Sequence, residues 1–139
     1  MTHEALTNAA PAPSCNRAIM IAGLIFLACA AIHAFLGGPE INRAVQASDA
    51  HPVVRAVSAV IWHALTALFA LAGVALWRTA RQPNRALNLF LLTLCLSFVA
   101  LFLAIGIAEL GTIFLMPQWV LFGAIAIALG FGMRRDRAA

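Results

Sequence analysis

Long apolar runs broken by short polar intervals dominate the chain, and the lengths of those runs predict its elements. From Ala18 to Leu36 the only ionisable side chains are Cys29 and His33. At ~1.5 Å per residue this run spans about 28 Å, close to the ~30 Å hydrocarbon thickness of a bilayer. A second run extends from Val53 to Trp77, interrupted near its start by Arg55. From Ala86 to Met133 the only charge is Glu109, and this stretch is long enough for two crossings joined by a tight turn near ELGTIFLMPQ, 109–118. The pattern predicts helices over 18–36, 53–77, 86–108 and 115–133. The fold class is all-α, an integral membrane four-helix bundle with an antiparallel up-down-up-down course. Residues 1–17, MTHEALTNAAPAPSCNR, read as a flexible cytoplasmic tail, 18–133 as the transmembrane domain, and 134–139 as a basic cytoplasmic tail.

The intervals between the runs carry the turn chemistry. GGPEINRAVQASDAHP, 37–52, is the longest connection. Gly37 and Gly38 follow the first run, where a left-handed C-cap suits glycine, and Pro39 then opposes continuation of the helix. INRAVQAS within this loop suits a short interfacial helix. Asp49 is placed to cap the second helix at its amino end, and His51 reads as a solvated loop residue. In the last run Ala124, Ala128 and Gly132 recur every fourth residue, with Gly123, Ala126 and Gly130 beside them, so that helix can approach a neighbour closely.

Composition agrees with the pattern. The chain is 63% hydrophobic and 10% charged, against about 45–50% and 25% in soluble domains. The net charge of +4 comes from arginines in short loops and tails. That placement argues against a nucleic-acid surface, which needs a solvated basic patch. Arg17, Arg78, Arg81, Arg85, Arg134, Arg135 and Arg137 fall on one side of the bilayer, and Arg43 and Arg55 on the other. The positive-inside rule then puts both termini in the cytoplasm. A cleavable signal ending near Ala28-Cys29-Ala30 is the alternative for the first run, but the run is long for a signal core and FLAC is a poor lipobox. Cys15, Cys29 and Cys95 show no CxxC spacing and imply no disulfide framework.

Candidate chemistry lies toward the outer ends of the helices. His33 and His63 fall at matching depth, each roughly 21–22 Å from the cytoplasmic end of its helix. An ionisable group at such depth seldom faces lipid, so both should point inward. Phe26, Cys29 and His33 share one face of the first helix, while Ala59, His63, Thr66 and Ala70 share a stripe of the second. Glu109 and Gln118 reach a similar height. Arg55, two turns above His63, is placed to pair with Glu40 or Glu109. The expected cluster is therefore His33, His63, Glu109, Arg55, Glu40 and Gln118.

Two facing imidazoles would suit a b-type haem, and His33 and His63 with Cys29 or Glu109 would suit a transition metal such as zinc or copper. No cofactor is required by the pattern, and GxxxxGK[ST], GxSxG, HExxH and GxGxxG are all missing from the sequence. The favoured expectation is a non-enzymatic accessory or interaction protein whose outer polar layer is structural or senses pH. The alternatives are a haem or metal redox protein and a small oligomeric transporter. The bilayer is the expected partner, with self-association or a larger membrane complex as further possibilities.

HxFxGGPE at the end of the first run, PVVRA leading to WH in the second and PQW before the last together resemble a group of small bacterial four-helix membrane proteins over 18–133. That resemblance implies a fold and a location, a multi-pass protein of the bacterial inner (plasma) membrane, and no activity. In size the chain is similar to small multidrug transporters. Their acidic residue lies deep in the first helix, whereas here that helix carries His33 near its outer end.

Overall fold

In the computed structural model, which describes residues 15–138, the chain is helical with short connections and, among these residues, no strand. Most of the expected amino-terminal tail, 1–14, and Ala139 lie outside the described residues. Helix α1 (Arg17–Ile32) passes without a break into a π-helical segment (His33–Asn42) and a last α turn, α2 (Arg43–Gln46). Helices α3 (Pro52–Thr79), α4 (Arg85–Leu110) and α5 (Gln118–Ala138) follow. The stretches Arg17–Gln46, Pro52–Thr79 and Arg85–Leu110 are each long and apolar enough to cross a membrane. Helix α5 is not among them. It starts later than the expected 115 and carries the basic tail as helix, so its uninterrupted apolar part, 119–133, covers only about 22 Å at ~1.5 Å per residue.

Local chemistry accounts for the helix starts. The Asn16 side chain accepts from the Ile19 amide and caps α1, while its backbone N–H donates to the Ala80 carbonyl at 2.7 Å and its Nδ2 to the Gly132 carbonyl at 2.9 Å. The end of the expected flexible tail is thus tied to two other helices. Asn84 caps α4 through the Leu87 amide. Helix α3 is capped by His51, whose Nδ1 accepts from the Val53 amide at 3.3 Å, rather than by Asp49. His51 is adjacent to Pro52 at the first helical position, so its side chain reaches the first N–H the helix leaves free.

The helix stop expected at Gly37-Gly38-Pro39 does not occur. Proline lacks an N–H and its ring collides with the carbonyl four residues earlier in an α-helix. The wider π turn, with bonds such as Arg43 N–H to Gly38 O, relieves that collision and carries the chain on. The left-handed glycine of this chain is Gly111 (φ 66°), which ends α4. From there the 111–117 loop folds back over α4, held by the Thr112 amide on the Gly106 carbonyl at 3.2 Å and by Trp119 Nε1 on the Ile113 carbonyl at 3.0 Å.

Packing is organised around α1. Along it, Asn16, Gly23, Phe26 and His33 meet Ala80, Gly73, Phe69 and Trp62 of α3 in that order, so positions rise along one helix as they fall along the other. Ile19 and Phe26 likewise meet Gly132 and Phe122 of α5. Helix α4 packs on α5, and no Cα of α4 lies within 8 Å of one in α1. Cys29 and Cys95 are therefore buried free thiols on helices too far apart to be bridged. The tight approach of the last helix uses Gly132. Gly123 and Gly130 face open space, and Ala124 is exposed. The core is a column of buried side chains, with Ile19, Phe26, Leu76, Ile125 and Leu129 fully enclosed.

At one end of this column Thr79 and Asn88 are both buried, and the Thr79 hydroxyl donates to Asn88 Oδ1 at 2.8 Å, tying α3 to α4. Replacing Thr79 with Val keeps the shape and strips Asn88 of this partner. Thr79→Val is expected to cost about 1–2 kcal/mol, read from denaturant unfolding in detergent micelles, and a change below about 0.3 kcal/mol would show the bond to be unimportant.

Candidate functional site

The π-helical segment builds the site because it keeps His33 and Gly37 one above the other against α3. The imidazole of His33 lies flat on the Trp62 indole, centroids 3.9 Å apart and planes 16° from parallel. A side chain on Gly37 would come within 3.2 Å of the same indole at Cη2, so this glycine gives Trp62 room rather than turning the chain. His33 Nε2 donates to the Trp62 carbonyl at 3.2 Å, and the Phe69 ring makes a T-shaped contact with the imidazole, centroids 5.6 Å apart. A carbonyl only accepts, so Nε2 carries a proton.

Beneath this clasp lies a cavity of about 140 Å³. Its apolar walls combine the rings of Trp62, Phe69, Phe98, Phe102 and Phe122 with the aliphatic side chains of Ile32, Ile41, Leu65 and Leu121, and its polar lining comes from His33, Cys29 and Gln118. The Gln118 carbonyl oxygen is buried and accepts no hydrogen bond. Buried polar atoms without a partner are uncommon and call for an explanation. The aromatic wall continues into the bundle as a cluster to which every long helix contributes, with Phe122 at its centre.

The structure brings together only part of the expected layer. His33, Cys29 and Gln118 share the cavity. His63, Glu109 and Glu40 are exposed. His63 instead lines a separate, more open groove of about 480 Å³ beside the π segment, with Asn42, Arg43 and Gln46. The inward stripe of α3 is turned by one residue from the expected one and runs through Trp62, Leu65, Phe69, Ala72, Leu76 and Thr79. Trp62 and Phe69 place large rings in the packed column, while His63, with less apolar surface, takes the neighbouring outward position. Arg55 meets neither Glu40 nor Glu109. Its Nη1 donates to the carbonyls of Gln46 and Ser48, and the Gln46 side chain donates back to the Arg55 carbonyl, so Arg55 ties the 47–51 loop to the start of α3.

This geometry bears directly on the metal and haem expectations. His33 is committed to the α3 backbone through Nε2, and His63 lies outside the cavity that His33 lines. Among the described residues no group of three His, Cys, Asp or Glu side chains is placed to hold a metal ion. The comparisons with known proteins bring no family. No protein-family model, curated protein or solved structure matches this chain.

Trp62 is the principal site residue that sequence reasoning passed over, and Asn88 with Thr79 is the second omission. The signal for Trp62 was its position four residues before Thr66 and seven before Phe69 on one helical face. For Asn88 it was a lone amide one turn inside an apolar run.

Proposed function

We propose that this chain is an integral membrane protein of a bacterial inner membrane, an antiparallel up-down-up-down bundle of four crossings with both termini in the cytoplasm. In this reading it acts without catalysis, as an accessory or interaction subunit, and the His33–Trp62 clasp is the structural fastening of its outer end. The observation that carries the reading is the exposure of large apolar side chains along every long helix, including Val60, Leu71, Phe90, Ile107 and Ile127. Patches of that extent are not left facing water. Helix α5, short of apolar length on its own, would cross with the apolar residues Ile113–Met116 ahead of it, and Arg134 and Arg135 would end the span at the cytoplasmic surface.

A structural clasp and a ligand pair make different predictions for the two histidines. His33→Ala is expected to lower stability in detergent by about 1–2 kcal/mol, from one lost hydrogen bond and one lost ring stack. His63→Ala, at an exposed position, is expected to change it by less than about 0.5 kcal/mol. A Soret band or bound metal lost in both variants would overturn the structural reading in favour of a redox one. For topology, a reporter fused after Asp49 is expected to read periplasmic and one after Gln82 cytoplasmic, and the reverse pattern would sink the proposed orientation.

A further inference from the structure

The bundle closes unevenly, and the gap falls at its arginine-rich end. Helices α3 and α4 are consecutive yet meet only sparingly, since α3 packs on α1 and α4 on α5. Between them runs an open cleft of about 420 Å³. Its apolar lining is Leu71, Val74, Ala75 and Leu87, and its polar lining includes Arg78, Gln82 and Asn84 at the loop end. Arg78 follows Leu71 by two turns, about 10 Å of helix, so the lining passes from apolar to polar along α3 as a lipid passes from acyl chain to headgroup. Arg78 makes no hydrogen bond or ion pair with the described residues. Arg81, by contrast, donates to the Trp77 carbonyl at 3.2 Å and lies over that indole. We infer that this cleft binds one anionic phospholipid of the cytoplasmic leaflet, with its phosphate on Arg78 and an acyl chain along Leu71 and Val74, which rests on the membrane orientation proposed above.

Charge selects the occupant. Arginines outnumber Glu4 and Asp136 toward this end of the chain, while Glu40, Asp49 and Glu109 belong to the other. Basic pockets between transmembrane helices at the cytoplasmic side recognise anionic headgroups. A zwitterionic headgroup would bring an ammonium group in among the same arginines, and like charges repel. A second copy inserted in the same direction would set its own arginines against these, so the cleft is poorly suited to self-association. A soluble anion would meet Arg78 but leave Leu71 and Val74, 68% and 51% exposed, without an apolar neighbour. An acyl chain covers both and keeps the phosphate beside the guanidinium.

The test uses the full chain in detergent micelles, with native mass spectrometry reading stepwise additions of dioleoyl phosphatidylglycerol or dioleoyl phosphatidylcholine. One phosphatidylglycerol is expected to bind saturably, at least about five-fold tighter than phosphatidylcholine, the size of one arginine acting on an anionic headgroup. Arg78→Gln, at an exposed position, is expected to reduce that preference to about two-fold or less. Arg17→Gln and Arg134→Gln remove exposed arginines of the same end from outside the cleft, and each is expected to leave the preference intact. Val74→Trp, which fills the apolar part and keeps Arg78, is expected to weaken phosphatidylglycerol binding about ten-fold. Glycerol 3-phosphate, a phosphate without chains, is expected not to displace the lipid at equal concentration. Equal affinity for the two lipids, a loss in Arg17→Gln or Arg134→Gln as large as in Arg78→Gln, unchanged binding in Val74→Trp, or displacement by glycerol 3-phosphate would each overturn the proposal. A dimer that forms in place of the lipid adduct would assign the cleft to a second copy and overturn it as well. Binding in micelles does not depend on which side of a membrane the termini lie, and the reporter fusions do not sense lipid, so the two readings fail separately.

Discussion

Phe122→Ala is expected to be the most damaging single truncation in the chain, costing about 3–5 kcal/mol. Phe122 is 4% exposed, and its ring meets Phe26 of α1, Phe69 of α3 and both Phe98 and Phe102 of α4 at centroid separations of 6.4, 5.5, 4.7 and 5.9 Å. Those separations fall within the range where ring pairs contribute about 0.5–1.5 kcal/mol each beyond the area they bury. The contact matters because α4 does not reach α1 and meets α3 only sparingly, so the Phe122 ring is where α5 joins the two sides of the bundle. In lipid the transfer part of the cost shrinks, since acyl chains are as apolar as the core, but the cavity and the lost ring contacts remain. Denaturant titration in mixed micelles measures it. A loss below about 1 kcal/mol would mean that the cluster packs loosely. Phe122→Leu, which keeps most of the volume, is expected to recover at least half of the loss.

Gly73→Val is expected to be the second large effect, at or above the upper end of the about 1–3 kcal/mol usual for overpacking. A single methyl on Gly73 would approach Leu27 Cγ at 2.7 Å and the Gly23 carbonyl oxygen at 2.9 Å. The leucine end can swing aside, but the carbonyl belongs to a helix backbone, so a branched side chain forces α1 and α3 apart. Close backbone approach through small residues is what holds helices together where no hydrophobic force acts between them. Gly73→Ala is expected to cost less than half as much. Unfolding of the two variants beside the native chain checks the order, and equal stability of Gly73→Val and the native chain would refute the tight α1–α3 contact. Gly123→Ala, on the same argument, is expected to be neutral within about 0.5 kcal/mol, because nothing lies near that Cβ position.

The two predictions rest on residues that were not equally visible beforehand. The small-residue pattern of the last helix pointed to close approach, and Gly132 does lie against Ile19 and Asn16. Gly23 and Gly73 carry the same signature on α1 and α3 without a repeat to mark them. His33 was legible as a residue needing an inward partner, and Phe26 and Cys29 do share its buried face. Its partner was not legible. The tryptophan beside His63 took the place expected for the histidine, and Glu109 and Glu40 stayed outside.

By itself the sequence determined that the chain is helical, where its long apolar helices run, and where most of them start. Those properties follow from nearest neighbours along the chain: apolar runs of fixed length, capping side chains such as Asn84, and the basic and glycine residues that close them. Only the tertiary structure decided which face of each helix turns inward, and with it the site. A helix apolar all round carries little information about its buried side, so a rotation of one residue, about 100°, exchanges Trp62 for His63. The same holds for Gly37-Gly38-Pro39, which the local rules read as a stop. The ring of Trp62 packed against Gly37 and the wide turn that accommodates Pro39 made it a continuation instead.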